Sequence, residues 1–237
     1  MRSEPAIRAL IEAASDPYRA AGHFAWHFAR GKLTHDPVFA AILSLGLLSG
    51  RRRILDLGCG QGLHAAWLLA ARAAYASGSW PGGWPPAPQP ELLVGIERDP
   101  RDVRRARAAL GPRARIVEGD MRDVDYPPAD AIIMLDVLHH NDHAAQEAVL
   151  ARARAALAPG GVLLIRVGDA DGGARFILSQ AVDRMVLLLR HRRLPRLWCR
   201  PAREWQALLN SLGLDTRALP MSTGTAFANV LFIGQSA

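Results

Sequence analysis

An acidic residue followed by three alternating glycines is the strongest chemical feature of the sequence, in the segment Asp56-Leu57-Gly58-Cys59-Gly60-Gln61-Gly62. Glycines let the backbone turn sharply and approach a ligand closely, and a helix beginning next offers free N–H groups. Dinucleotide enzymes use a related pattern with a different spacing, Gly-x-Gly-x-x-Gly. The carboxylate of Asp56 would repel a pyrophosphate and attract a cation. The loop therefore predicts a nucleotide-like ligand that carries positive charge.

Further acidic residues stand at the ends of the next predicted strands. Glu97 ends the segment 92–97, and Asp120 follows 115–117. Ligands of open α/β sheets bind at the carboxyl ends of the strands, so acids at successive strand ends are expected to face one ligand. Any one of these acids alone is also typical of a helix cap or a surface charge.

Two histidines, His139 and His140, come directly after the fourth predicted strand. Imidazole titrates near neutrality, so either residue is a candidate general base, with His140 slightly favoured. A Leu-His-His turn also serves for capping and packing, and both interpretations stay open.

Alternating strands and helices must position these residues, which predicts an α/β fold. The predicted strands are 54–57, 92–97, 115–117, 131–135, 162–167, 215–219 and 229–233. The predicted helices are 4–14, 38–48, 63–74, 100–110, 175–190 and 201–213, and one more that is capped by Asn141 or Asp142 and ends at Ala158. We expect a Rossmann-like doubly wound sheet of seven strands, mostly parallel with an antiparallel C-terminal hairpin, and helices on both faces.

Composition favours one domain over residues 1–237, half of them hydrophobic. The net charge of +7 suggests nucleic acid, but Lys32 is the only lysine, and the arginine bias is typical of GC-rich codon usage. Nucleic-acid binding is therefore disfavoured.

Cys59 and Cys199 lack a CxxC or Cys/His neighbourhood, so we expect neither a disulfide framework nor a metal site. With no signal peptide or long apolar run, we expect a cytoplasmic protein without a transmembrane segment.

Three segments lie outside the alternating core. Residues 1–50 are interpreted as a helical lid or as helices packed on the sheet. The Pro-, Gly- and Trp-rich insertion 75–91 is interpreted as a solvated loop, with folding of Trp80 and Trp84 over a neighbouring site as the alternative. The helical region 170–212 is expected to contact substrate, and its arginines form either a solvated face or a docking surface for an acidic acyl carrier protein or an anionic lipid-like substrate. The lid residues of interest are Tyr18, Phe24, Trp26, His27, Arg30 and Lys32; the arginines are Arg184, Arg190, Arg192, Arg193, Arg196 and Arg200.

The acidic glycine loop and the acids that follow it resemble the class I S-adenosylmethionine (SAM)-dependent methyltransferases over roughly residues 50–170. The resemblance implies that the loop, with Asp56, Gly58, Cys59 and Gly60, contacts the methionine part of SAM. It further implies that Glu97 accepts from both ribose hydroxyls, that Asp120 and Met121 hold the adenine, and that Asp136 belongs to the stretch lining the cleft. The insertion 75–91 lengthens the spacing between the first two acids relative to the family. Lys32 or Arg30 is expected to meet the SAM carboxylate.

The predicted function is transfer of a methyl group from SAM to an oxygen or carbon of a small, aromatic or carrier-tethered acceptor. The Asn/Asp-Pro-Pro-aromatic motif that methyltransferases of bases and amides carry after the fourth strand is absent. The segments 31–39 and 220–231 resemble methyltransferases encoded with bacterial aryl polyene or xanthomonadin-type pigment genes, which implies a secondary-metabolic aromatic acceptor. A nucleic-acid methyltransferase and a non-catalytic SAM-binding protein are the alternatives, and a nicotinamide oxidoreductase is disfavoured.

Overall fold

The computed structural model describes residues 3–191, 196–222, 224 and 227–236. Arg192 and Arg193, named above, lie outside this part, and so do residues 223, 225 and 226 of the segment 220–231. The roles predicted for these residues rest on the sequence only.

Seven strands form one mixed sheet, as predicted. Their order is β3-β2-β1-β4-β5-β7-β6; β1 to β5 are mutually parallel, and β7 is antiparallel to both of its neighbours. The order reverses beside β1, and the topological switch point of such a sheet is where ligands bind. The strands are β1 Arg53–Leu57, β2 Leu92–Glu97, β3 Arg115–Glu118, β4 Ala129–Leu135, β5 Leu157–Gly168, β6 Leu214–Pro220 and β7 Asn229–Ser236.

Helices cover both faces of the sheet because the strands are apolar on both sides. In β1, Ile54 joins the apolar cluster packed by α1 to α5, whereas Leu55 and Leu57 join the cluster packed by α6 and α8. Among the described residues, no helix combines the length and the apolar character that crossing a bilayer requires. The helices are α1 Ser3–Ser15, α2 His23–His35, α3 Pro37–Ser44, α4 Leu63–Ala76, α5 Pro100–Leu110, α6 His143–Ala156, α7 Gly173–His191 and α8 Ala202–Ser211, with short 3₁₀ turns at Asp16–Ala21, Gly111–Arg113 and Leu138–His140.

At two glycines the predicted boundaries were wrong. The helix predicted over 38–48 ends at Ser44, because Gly46 adopts a left-handed conformation (φ 64°) and the Pro85 ring lies 2.8 Å from where its Cβ would be. The turn predicted at Gly160-Gly161 lies inside β5. Ala129 pairs with Leu157 and Ala131 with Val162, so a bulge in β5 accommodates the glycines.

The insertion 75–91 lies at the edge of the sheet opposite the glycine loop. It leaves the C-terminal end of α4 and rejoins β2 where the backbone N–H of Leu92 donates to Arg52, just before β1. Trp80 and Trp84 pack edge to face (centroids 5.5 Å apart) against the α1–α4 side of the core. At this end of the sheet the two tryptophans do not cover the carboxyl ends of the strands, and their folding over another neighbouring site stays a prediction. The solvated interpretation needs correction, because Ala87 is buried.

Candidate active site

The glycine loop between β1 and α4 is held in a conformation that only glycine adopts easily. Gly58, Gly60 and Gly62 all have positive φ (74°, 55° and 75°). A Cβ on Gly58 would lie 2.4 Å from the Val137 side chain and 3.3 Å from that of Met121, whereas a Cβ on Gly60 would have no heavy atom of the described residues within 4 Å. Side chains therefore pack against the loop at Gly58, whereas the loop is open at Gly60, where a ligand can rest on the backbone.

Glu97, at the end of β2, connects the second strand to this loop. One carboxylate oxygen accepts from the backbone N–H of Gly60 at 2.9 Å, and the other accepts from that of Asp99 at 2.7 Å. A carboxylate has about four acceptor positions, so these two bonds fix its orientation and leave further positions for a ligand. Glu97 therefore both shapes the loop and retains the capacity to accept from a diol.

Asp120 and Met121 follow β3, the outermost strand on this side of the sheet, at the same carboxyl ends of the strands. The Arg122 side chain hydrogen-bonds the Asp120 carboxylate (2.7 and 3.0 Å), and this bond is the main reason that the pKa of Asp120 lies below its ordinary value. Met121 is buried, and its methyl group packs against Gly58. The arrangement gives an ionised acceptor beside an apolar floor.

Buried polar atoms without a hydrogen bond gather beneath the loop. Asp56 is 7% exposed and Gln61 2% exposed; one carboxylate oxygen of Asp56, both amide atoms of Gln61 and Nε2 of His64 have no hydrogen-bond partner among the described residues. His64 Nδ1 lies 3.4 Å from Asp56, within ion-pair distance but without hydrogen-bond geometry. Buried groups of this kind ordinarily find partners. Their donor and acceptor atoms fit a polar, cationic ligand or its water.

The N-terminal region touches the loop through Tyr18 in the 3₁₀ turn Asp16–Ala21. This tyrosine is fully buried and donates from its hydroxyl to the carbonyl oxygen of Gln61 at 2.7 Å. Burial, then the nearby Cys59 and Asp56, raises the pKa of Tyr18 far above its ordinary value, so the hydroxyl remains a donor.

A four-residue ion cluster fastens the N-terminal region to β4 and β5. Arg166 of β5, 2% exposed, donates to Asp36 between α2 and α3 and to Asp136 after β4. Lys32 of α2 lies 2.8 Å from Asp36 and 3.5 Å from Asp136. Burial opposes ionisation of both acids, but the two cations outweigh it and hold the pKa of each below its ordinary value.

Asp136 also has an unusual backbone, with φ 58°, the one described non-glycine residue at positive φ. Such a conformation costs of order 1 kcal/mol and persists where surrounding contacts enforce it. Here the Arg166 ion pair and the bond from the Asp136 N–H to the Arg166 carbonyl (3.1 Å) enforce it. The strained turn directs the chain toward the two histidines.

His139 and His140 form the next turn, with ring centroids 4.1 Å apart. His139 is buried, and His140 is partly exposed. The His139 carbonyl accepts from the Trp198 N–H at 2.9 Å, and buried Gln146 donates to the carbonyl oxygens of Leu138, Asn141 and Trp198. The segment after α7 is thereby fixed against the histidine turn.

The structure thus places the predicted residues along the carboxyl edge of β1 to β4, and direct contacts connect several of them. Arg30 does not join them: it lies 3.9 Å from Glu12 and beside Trp26 on the surface. Sequence reasoning missed the ion-pair roles of Arg166 and Asp36. The available signal was Arg166 itself, the one charged residue in the apolar run 162–167. Arginine is almost never fully buried unless it is paired, so a buried arginine predicts an acidic partner.

Known proteins are similar to this chain in sequence. The sequence model of the family described as "methyltransferase domain" matches residues 25–219. A carboxy-S-adenosyl-L-methionine synthase of Chromohalobacter salexigens is 37% identical over 140 residues, covering 54% of this chain and 47% of that protein.

Solved structures agree in fold. An O-methyltransferase family 2 protein of Planctomyces limnophilus, in complex with apigenin, has a TM-score of 0.63 at 21% identity, over 93% of this chain and 62% of that one. Human N-acetylserotonin methyltransferase, in complex with SAM, has a TM-score of 0.61 at 16% identity, over 100% and 60%. The chain thus spans about half the length of the curated relative it matches and about three fifths of these two structures.

Proposed function

The chain belongs to the methyltransferase domain family, and on that premise we propose that it transfers the methyl group of SAM to an oxygen atom of a small acceptor. Membership confirms the family resemblance drawn from the glycine loop and the strand-end acids. The observation that carries the proposal is the placement of Asp56, Glu97 and Asp120 at the ends of three adjacent strands around one glycine-lined opening.

The residues present fit SAM as the methyl donor. Bound SAM would supply an electrophilic methyl group on a sulfonium sulfur. Glu97 would accept from the ribose hydroxyls with the positions that Gly60 and Asp99 leave free, and Asp120 would accept from the adenine amino group. The unpartnered oxygen of Asp56 and the amide of Gln61 match the charge and donors of the methionine part. Lys32, held at the rim by two carboxylates, is the proposed partner of the SAM carboxylate.

The cleft beyond Asp136 would orient the acceptor and exclude water. Displacement at a methyl group depends mainly on alignment of the reacting atoms, which the rigid turns at Asp136 and His139 favour. Where the acceptor is a hydroxyl, His140 is the proposed base that takes its proton, with His139 as the alternative. His139 is buried and its carbonyl is fixed by Trp198, which favours the more exposed His140.

Oxygen is favoured over carbon as the acceptor atom because several similar structures are O-methyltransferase family proteins. The exposed arginines of the region 170–212 support an acceptor delivered on an acidic carrier protein or with an anionic group of its own. An aromatic acceptor of the pigment type and a role in secondary metabolism stay predictions from the sequence.

A second candidate function follows from the 37% identity to the carboxy-SAM synthase, whose name specifies a modified SAM as its product. The two functions leave different nucleosides: transfer to an acceptor leaves S-adenosylhomocysteine, whereas synthesis of carboxy-SAM leaves SAM enlarged by a carboxyl group.

Mass spectrometry of a cell extract incubated with the enzyme and methyl-labelled SAM tests both. If the chain transfers the methyl group to a small acceptor, the label is expected in a small molecule, and the S-adenosylhomocysteine formed should be unlabelled. Label retained in an enlarged nucleoside would establish the second candidate, and label in RNA would establish a nucleic-acid methyltransferase. SAM binding by calorimetry without any turnover would indicate a non-catalytic SAM-binding protein, and binding of NADH in its place would exclude all of these.

A further inference from the structure

Helix α7 exposes an apolar face to solvent. Ile177 is 70% exposed, Leu178 46%, Met185 56% and Leu188 45%. Ile177, Met185 and Leu188 fall at helical spacing, and Leu178 lies two helical turns before Met185, which places the four side chains on one side of the helix. Four large aliphatic side chains on one exposed helix face are unusual for a surface that only water covers.

The opposite side of α7 contacts the domain through the described side chains of Phe176, Ser179 and Gln180. The Phe176 ring lies over Gly168, Ser179 accepts from the Ala228 N–H at 3.2 Å, and Gln180 donates to Cys199 Sγ at 2.9 Å. Ser179 is the one buried residue of α7 among those whose side chains are described. The helix is therefore attached along one side and free along the other.

Positive charge accompanies the apolar face. Arg175 and Arg184 are exposed, and the sequence of α7 contains three arginines against one acid, Asp183. Exposed Arg196, after the helix, stacks over Trp198 with its guanidinium carbon 3.8 Å from the ring centroid. Pairing of α7 with a second copy of itself would bring like charges together, whereas an anionic surface would complement them.

We propose that α7 is an interfacial helix that docks the protein on an anionic lipid surface. Aliphatic side chains enter the acyl boundary and arginines contact the headgroups, as in amphipathic helices that lie in the plane of a bilayer. The face is formed by Ile177, Leu178, Met185 and Leu188 with Arg175 and Arg184 beside it.

The position of α7 connects this surface to the candidate active site. The segment that contains α7 follows β5. Its two ends are joined by a hydrogen bond from the Ala170 N–H to the Arg200 carbonyl (3.3 Å). On its return, Trp198 contacts the His139 carbonyl. Docking through α7 would therefore hold the histidine turn beside the lipid surface, where an apolar acceptor would be available.

Co-sedimentation with vesicles tests the proposal. The full chain is expected to bind vesicles of phosphatidylcholine with about one quarter phosphatidylglycerol roughly tenfold more than vesicles of phosphatidylcholine alone, and to be released by salt. The double variant Ile177→Asp/Met185→Asp and the variant Arg184→Glu should each lose about tenfold in binding. Leu45→Asp, at a 52% exposed leucine outside α7, and Arg104→Glu, at an exposed arginine of α5, should bind like the wild type.

Absence of vesicle binding, equal binding to neutral vesicles, or binding by the α7 variants equal to wild type would overturn the proposal. A dimer in sedimentation velocity that the double variant dissociates would instead assign the face to a second copy, and saturable binding to an acidic carrier protein without lipid would assign it to a protein partner. SAM affinity, measured by calorimetry on the same variants, should not change. If the wild type does not bind SAM, the proposed function is refuted. The vesicle-binding result is independent of that outcome and decides the lipid-docking proposal by itself.

Discussion

The buried hydroxyl of Tyr18 donates a 2.7 Å hydrogen bond to the carbonyl oxygen of Gln61. Gln61 lies between Gly60 and Gly62, so a residue of the N-terminal region supports the turn of the candidate cofactor loop from behind. The predicted lid is therefore tied to the loop, and displacement of one would disturb the other.

Tyr18→Phe is expected to lower both stability and SAM affinity. Loss of one buried hydrogen bond, with a carbonyl left unpaired, costs about 1–3 kcal/mol. Calorimetry of SAM binding and urea unfolding measure the two effects. Tyr75→Phe, at a tyrosine 43% exposed, is the matched control and should change neither. Unchanged SAM affinity in Tyr18→Phe would show that the loop holds its shape without this bond.

Glu97→Gln is expected to weaken SAM binding by about ten- to a hundredfold. The amide retains the shape of the side chain but loses the charge that strengthens hydrogen bonds to Gly60 and to a diol, worth about 1.5–3 kcal/mol. Glu91→Gln, at an exposed acid paired with Arg52, serves as the control. Equal affinities for the two variants would mean that Glu97 only shapes the loop.

Arg166→Met is expected to destabilise the fold by about 3–5 kcal/mol, because it removes the buried cation and leaves the Asp36 and Asp136 carboxylates with Lys32 alone. Arg203→Met removes an exposed pair with Asp171 and should cost at most about 1 kcal/mol. Denaturant midpoints compare the variants. The triple variant Asp36→Asn/Asp136→Asn/Arg166→Met should recover part of the loss, and no recovery would argue against uncompensated charge as the cause.

Acidification should weaken the same cluster. The pKa values of Asp36 and Asp136 lie below their ordinary values in the folded chain, so their contribution is complete above the unfolded pKa of about 4 and is lost as pH falls through the lowered values. The free energy of unfolding of the wild type should therefore fall below about pH 4 more steeply than that of Asp36→Asn. Parallel curves would remove the cluster as the cause.

His140→Ala is expected to lower turnover by about a hundredfold or more with a hydroxyl acceptor, and to abolish the acidic limb of the pH–rate profile. SAM affinity should be retained. His23→Ala, at an exposed histidine of α2, controls for loss of an imidazole. Full turnover in His140→Ala, with loss in His139→Ala, would reverse their roles.

Sequence alone determined most of the sheet and the identity of the strand-end acids. The limits of β2 and α5 were predicted to the residue, because Asp99 and Pro100 cap and begin a helix by local geometry and a short apolar run specifies a buried strand. Membership in the methyltransferase domain family was readable from the same residues. Errors came at Gly46 and Gly160, where packing of distant segments decides whether a glycine ends an element.

Which of these residues contact one another depends on the tertiary structure. Asp36 and Arg166 lie far apart in sequence, and no local pattern indicates that they pair with Asp136 and Lys32 in one buried cluster. Likewise, the burial of Ala87 and the packing of Trp80 and Trp84 in the insertion depend on contacts with distant segments. Local sequence specifies turns, caps and faces through short-range sterics and hydrogen bonds, whereas ion pairs and packing between residues distant in sequence depend on how the whole chain folds.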